Sequence, residues 1–350
     1  MLYQTENCHG GDLYGQPVTL DFSANTSPLG TPESVQEAVR QALPELHHYP
    51  DPYCRKLTQA ISRHEQVPCE DILCGNGAAE LIYAYCRAAG PCRAAELAPT
   101  FAEYALGIQQ AGGEMVHYPI REEENFDLDR DIFPFLERTQ PRVLFLCNPN
   151  NPTGRLIPPE LLEEILTVCG RQGIRLLLDE CFLELSEGGV SMADRLQENP
   201  HLTILKAFTK SYGMAGLRLG YVLSRDHQML KKMAAVVQPW NVSSLAQAAG
   251  VAALEDTGFL EQNRAVIFRE RRWLAAELEA LGFRVCPAAA NYLLFRGQPG
   301  LQAALRPCGI AIRTGGNYQG LGPGWYRIAV RLHAENRQLI AAIRSLLGKE

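Results

Sequence analysis

Lys210 stands where an amine is hard to explain as a solvated charge. It ends the β-rich apolar run ILKAFTK, and Gly213, Gly216 and Gly220 follow it around Arg218. Glycines beside a cation let backbone approach something closely, and the neighbour expected here is a ligand. The plainer alternative is a loop lysine between two strands. An amine to capture an aldehyde, and a hydroxyl (Thr209) and a guanidinium (Arg218) for a phosphate, are three parts that pyridoxal 5'-phosphate (PLP) requires; the fourth is an acid for the pyridine nitrogen.

The rest of the chain offers the missing parts. Asp179 lies in LLLDECFLEL, a carboxylate among apolar residues, which is costly unless paired. A pyridinium N–H would pair it and keep the ring able to accept electrons. GNGAAE (Gly75 to Glu80) reads as a tight turn into a helix, where free N–H groups of Gly77 and Ala78 suit a phosphate. Asn151, on the proline-pinned loop NPNNPTG, suits the cofactor's phenolate oxygen, and Phe101 in PTFAEY suits stacking on the ring face. Each has core packing or a plain turn as its alternative, Phe101 above all.

These residues need a frame that brings strand ends together. Short β-branched and leucine-rich runs (Ala94 to Ala98, Met115 to Tyr118, Val143 to Cys147, Ile174 to Leu178) alternate with helical segments. This predicts an α/β fold with a mostly parallel sheet whose strand C-termini carry the ligand. Residues 1–32 read as an irregular N-terminal arm, with Thr31 capping a helix over 33–43. Residues 33–255 read as a large cofactor-binding domain and 256–350 as a smaller α+β domain. The FRERRW cluster near position 270 reads as a solvated helix face.

Composition narrows the classes. The 350 residues are 46% hydrophobic and 21% charged, ordinary for a globular enzyme, and too many for one minimal core. A net charge of −6 argues against nucleic acid as a partner, so an anionic ligand needs local arginines. Eleven cysteines with no C-x-x-C pair argue for reduced core residues and no metal site, Cys147 and Cys181 included. No run approaches a membrane span and no basic leader precedes an apolar stretch, which implies a cytoplasmic protein with no membrane partner.

Taken in order, GNGAAE, PTF, NPNNPTG, DE, TK and GLRLG resemble the fold-type I PLP-dependent enzymes of the class I/II aminotransferase family over most of the chain. The resemblance implies that Lys210 carries the cofactor covalently and that Asp179 partners the pyridine nitrogen, with Asn151 on the phenolate oxygen and Phe101 on the ring. Gly77, Ala78, Thr209 and Arg218 would hold the phosphate. Tyr49 in HYPD would reach the phosphate of a neighbouring subunit, so a homodimer is implied.

Two branches compete within the family. The HGG segment, DFSANTSPLG, FTKSYGMAGLRLGY and the NY-x-GL segment (Asn317 to Leu321) resemble the L-threonine O-3-phosphate decarboxylases of cobalamin biosynthesis. Phe182 stands where histidinol-phosphate aminotransferases usually place tyrosine. The decarboxylase resemblance implies a phosphorylated amino-acid substrate held by His9, Gly10, Asn25, Asn151, Arg313 and Arg327, with Arg331 left as a structural ion pair. The other readings are histidinol-phosphate or another amino-acid aminotransferase and, more remotely, a non-catalytic PLP-binding protein. Ala207 departs from the serine or threonine that many relatives carry there, so one phosphate hydroxyl is missing.

Overall fold

The computed structural model describes residues 9–14 and 17–348; Cys8 lies outside them. Seven strands form the main sheet in the spatial order Ile72–Gly75, Gly220–Ser224, Leu202–Ala207, Arg175–Asp179, Val143–Cys147, Arg93–Ala98 and Glu114–Pro119. Gly220–Ser224 alone runs against the rest, antiparallel to both its neighbours. The central strands VLFLC and RLLLD are apolar along almost their whole length because helices cover both sheet faces, which removes the alternation of a half-exposed strand. Parallel pairing sets Cys147 beside Asp179 and Asp179 beside Leu205 at one edge, so strand ends converge there.

The helices follow their own sequence signals. Pro159–Gln172 has proline in its first turn, buries Leu161, Leu162, Ile165, Leu166 and Cys169 on one stripe, and stops at Gly173 (φ 69°). Asp226 and Ser243 each accept a bond from a backbone N–H of the next helix's first turn, as caps should. Thr31 does not cap: its hydroxyl donates to the Gly213 carbonyl at 2.8 Å, and the Glu33–Ala42 helix starts after Pro32 with no side-chain cap. A tertiary contact takes the hydroxyl that local sequence offered to the helix.

A second, antiparallel sheet runs Arg313–Thr314, Trp325–Ala329, Tyr292–Arg296, Arg284–Val285. The Phe259–Ala280 and His333–Leu346 helices pack against it through Leu274, Leu278, Leu339 and Ile343, all buried. The arm belongs to this layer, because Leu20–Asp21 pairs in parallel with Ile310–Ala311 and Phe22 accepts from the Ala329 N–H. The FRERRW segment is not wholly solvated. Arg271 is buried and donates to the Ala289 and Ala290 carbonyls, and it pairs with Glu187, while buried Glu270 meets His333 and Asn336. Arg331 pairs with Glu335 at 3.2 Å.

The NPNNPTG loop joins the two layers through Asn150. Its side chain accepts from Thr100 Oγ1 at 2.7 Å and donates to the Pro99 carbonyl and Thr153 Oγ1, each at 3.0 Å; its carbonyl accepts from Tyr292 Oη at 2.9 Å. Asn150→Ala deletes three bonds of a buried group and strands their partners. The expected cost is about 3 kcal/mol of stability, read as a lowered urea midpoint at an unchanged slope.

Candidate active site

A cavity of about 370 Å³ opens between the strand ends, the arm and the small sheet. Lys210 enters it from the short helix Phe208–Ser211, which continues directly from the Leu202–Ala207 strand. Burial, then the nearby Arg327 guanidinium, lowers the Lys210 amine to about 8. Its Nζ lies 5.6 Å from the centre of the Phe182 ring.

Asp179 ends the neighbouring strand and lines the same cavity. Its Oδ2 accepts from Tyr104 Oη at 2.5 Å and its Oδ1 from the Cys181 N–H at 2.9 Å. Burial pushes this carboxyl up, against the Cys181 and Tyr104 bonds and the Lys210 charge. A buried carboxylate so placed is completed by a cation.

The turn before the Gly77–Ala89 helix forms a tight concavity. A Cβ at Gly77 (φ 81°) would meet Arg218 Nη2 at 2.7 Å, and one at Gly220 would meet the Ala78 N at 2.8 Å. Glycine at these two positions lets the guanidinium and the helix's first N–H groups face one point together with buried Thr209. Arg218 itself takes φ 57°, a left-handed backbone that costs a residue with a Cβ about 1 kcal/mol and tends to mark ligand sites. The other glycines of the stretch differ from expectation. Gly213 makes room for the Gly30 carbonyl of the arm, and Gly216 faces nothing within 4 Å.

The small sheet supplies the opposite wall. Its antiparallel register sets Arg313 directly across from Arg327, which puts both side chains on one face. Arg327 donates to Asn151 Oδ1 at 2.6 Å, to Tyr318 Oη at 2.9 Å and to the Ser23 carbonyl at 2.8 Å; Arg313 donates to Asn317 Oδ1 at 2.5 Å. With its carbonyl oxygen taken by Arg327 and Tyr318, the Asn151 amide turns its NH2 group elsewhere, and Asn151 lines the cavity. Asn25 lines it too, fully buried, with neither amide atom bonded among the described residues; Arg327 Nε is likewise buried and unbonded.

The pattern of the Aminotransferase class I and II family matches residues 17–343. The chain belongs to this family. Threonine-phosphate decarboxylase of Salmonella typhimurium (strain LT2) is 39% identical over 97% of both chains. Histidinol-phosphate aminotransferase of Thermoanaerobacter pseudethanolicus is 32% identical over 96% of this chain and 95% of its own. The solved histidinol-phosphate aminotransferase of Sinorhizobium meliloti, in complex with pyridoxal-5'-phosphate, is 25% identical and superposes with a TM-score of 0.84 over 94% of this chain and 92% of that one.

Class I/II enzymes depend on PLP, and the cavity's residues fit that group. The Gly77 and Arg218 concavity, which a Cβ would fill, suits its phosphate; buried Asp179 suits its ring nitrogen; Lys210, of lowered basicity, suits its aldehyde. With an amine near 8, the neutral form at pH 7 is a few hundred times more abundant than for an ordinary lysine. Capture of PLP by cofactor-free protein is therefore expected to quicken as pH rises and to level off above about 8, followed by the visible absorption of bound cofactor.

The structure brings Gly77, Ala78, Phe101, Asn151, Asp179, Thr209, Lys210 and Arg218 to this region, with His9, Gly10, Asn25, Arg313 and Arg327. Tyr49 stands apart. It is 79% exposed and stacks on Trp240 with ring centres 4.6 Å apart. Cys147 and Cys181 are buried, as core residues should be, yet both also line the cavity. Sequence reasoning missed Tyr104, Tyr318 and Glu103. Tyr104 lies one helical step beyond Phe101 in PTFAEY, and that spacing was the only signal for it. Tyr318 sits in the NY-x-GL segment, whose spacing says nothing of the Arg327 contact.

Proposed function

We propose that this chain decarboxylates L-threonine O-3-phosphate to (R)-1-aminopropan-2-yl phosphate for cobalamin biosynthesis. The observation that carries the reading is Phe182 in the cavity wall beside Lys210, at the position where the aminotransferase branch usually has a tyrosine hydroxyl. The 39% identity with a threonine-phosphate decarboxylase over nearly full length supports it. In this reading residues 33–255 are the cofactor domain, 256–350 the small domain, and 1–32 an N-terminal arm that joins the small domain and the active site.

PLP, when bound, supplies an electron sink for the pair left at Cα when the bond to the carboxylate breaks. The chain does the rest. Asp179 would hold the proton on the ring nitrogen, and the Asn151 amide would donate to the phenolate oxygen. Gly77, Ala78, Thr209 and Arg218 would hold the cofactor phosphate, and Phe101 would cover the ring. Arg327 and Arg313 offer a planar fork to each of two substrate anions, assisted by Asn25, His9 and Gly10. That grip would orient the bonds of Cα and so decide which one breaks. Lys210 Nζ, which lines the cavity, would deliver a proton to Cα after carbon dioxide has left.

Tyr49, exposed on its own subunit, is assigned to the phosphate of a second copy of this chain, which makes the working form a homodimer. No helix among the described residues is long and apolar enough to cross a membrane. The similarity to a histidinol-phosphate aminotransferase favours transamination as the second reading. The test supplies purified holoenzyme with threonine phosphate or with histidinol phosphate, each with and without 2-oxoglutarate. Carbon dioxide release that ignores the keto acid supports decarboxylation; glutamate formed from histidinol phosphate, with no gas, overturns it.

A further inference from the structure

The cavity wall holds a second carboxylate that neither cofactor nor catalytic proton transfer uses. Glu103 opens the Glu103–Gln110 helix, is 8% exposed, and lines a cavity whose other charges, apart from Asp179, are cationic. A negative charge there opposes an anionic ligand unless it is neutralised. Both of its oxygens are engaged: His9 Nε2 lies 2.8 Å from Oε1, and Tyr83 Oη donates to Oε2 at 2.6 Å. The His9 contact, ahead of the Tyr83 bond, holds the Glu103 carboxyl below the usual range, so the group is an anion at neutral pH.

Tyr83 comes from the Gly77–Ala89 helix and His9 from the arm, so Glu103 clamps the arm's first described residue to the large sheet's helices. The imidazole is thereby set 6.0 Å from the Phe101 ring, at the cavity's edge. The arm's own turn does not reach these helices: Gly11 N–H bonds to Ser23 Oγ, and the adjoining strand joins the small sheet layer.

We infer that Glu103 is a positioning residue for phosphate recognition: through its 2.8 Å contact it holds the His9 imidazole where the ring meets the phosphate monoester of the amino-acid substrate. This rests on the proposed reading of the substrate. Arg327, bonded to Asn151 and close enough to Lys210 to lower its basicity, suits the carboxylate, and Arg313 and His9 suit the outer anion. Glu103 thus makes the site selective for a phosphorylated side chain, although it never meets the phosphate.

The test uses Glu103→Gln holoenzyme, whose amide can still bond to Tyr83 and His9 but carries no charge. Affinities for O-phospho-L-threonine and for L-threonine are read by rapid mixing from the shift in cofactor absorption, which reports binding whatever reaction follows. The expected result is an affinity about tenfold lower for the phosphorylated ligand, with less than a twofold change for threonine. Tyr83→Phe, which keeps the Glu103 charge, should leave the ratio of the two affinities within twofold of wild type. An equal loss for both ligands in Glu103→Gln, or no loss for either, overturns the inference. Gas release is measured in parallel; its absence from wild type would refute the proposed reaction and leave the affinity ratio to decide on Glu103 separately.

Discussion

Lys210→Ala is expected to remove covalent cofactor attachment and to lower turnover by on the order of 10⁴-fold, since the proposed function makes one amine both anchor and proton carrier. The anchor is read by borohydride reduction and peptide mass: wild type should carry the cofactor mass on the peptide containing position 210, and the variant on none. Lys210→Arg should not restore either property, because a guanidinium stays charged and is a poor nucleophile. Burial, then the nearby Arg327 charge, lowers the Lys210 amine to about 8, which leaves more of it neutral and nucleophilic at pH 7 than an ordinary lysine. Covalent cofactor at another lysine, or undiminished turnover in Lys210→Ala, would contradict the assignment.

Asp179→Asn is expected to lower kcat/KM by about 10³-fold while the fold persists. The asparagine side chain can keep bonds to Tyr104 and the Cys181 N–H, so the strand edge should survive. What it loses is the negative charge that would hold a proton on the pyridine nitrogen. Without that proton the ring accepts the electron pair from Cα far less readily, and bond cleavage slows whichever bond is aligned. Substrate affinity, set by the wall opposite, should change much less than kcat. An Asp179→Asn enzyme of near-normal kcat would show that the ring nitrogen has no part in the reaction.

Lys210 and Asp179 could be picked out from sequence because each ends an apolar run at a place where a buried polar group requires a partner, and Asn151 because prolines pin the loop that carries it. The parallel sheet was legible for the same reason, since strands buried on both faces lose alternation. What sequence could not show is distance in space. Tyr104 meets Asp179 across 75 positions and Tyr318 meets Asn151 across 167. Their local spacing is that of ordinary core residues. Thr31 and Arg271 show the converse. Local rules assigned them to a cap and to solvent, and tertiary partners took them instead. The glycines behaved similarly: Gly220 clears space for the turn at Ala78, whereas Gly213 accommodates the arm and touches no ligand wall.

The geometry also explains how one family could host two outcomes. In the proposed reading the cofactor side is built from strand ends and one helix terminus, whereas the substrate side comes from the small sheet and the arm. Changes on the second side can turn the substrate without disturbing the first. Arg313, Arg327 and the His9 clamp are the parts that such a turn would alter.

The proposed reaction breaks the bond between Cα and the carboxylate and returns a proton to the same carbon. Threonine phosphate incubated with holoenzyme in heavy water, without any keto acid, tests it in one mass spectrum of the product. The account predicts aminopropanol phosphate carrying one carbon-bound deuterium, at the position the carboxylate left. Recovery of the intact amino acid with deuterium at Cα, or of a keto acid, would contradict it.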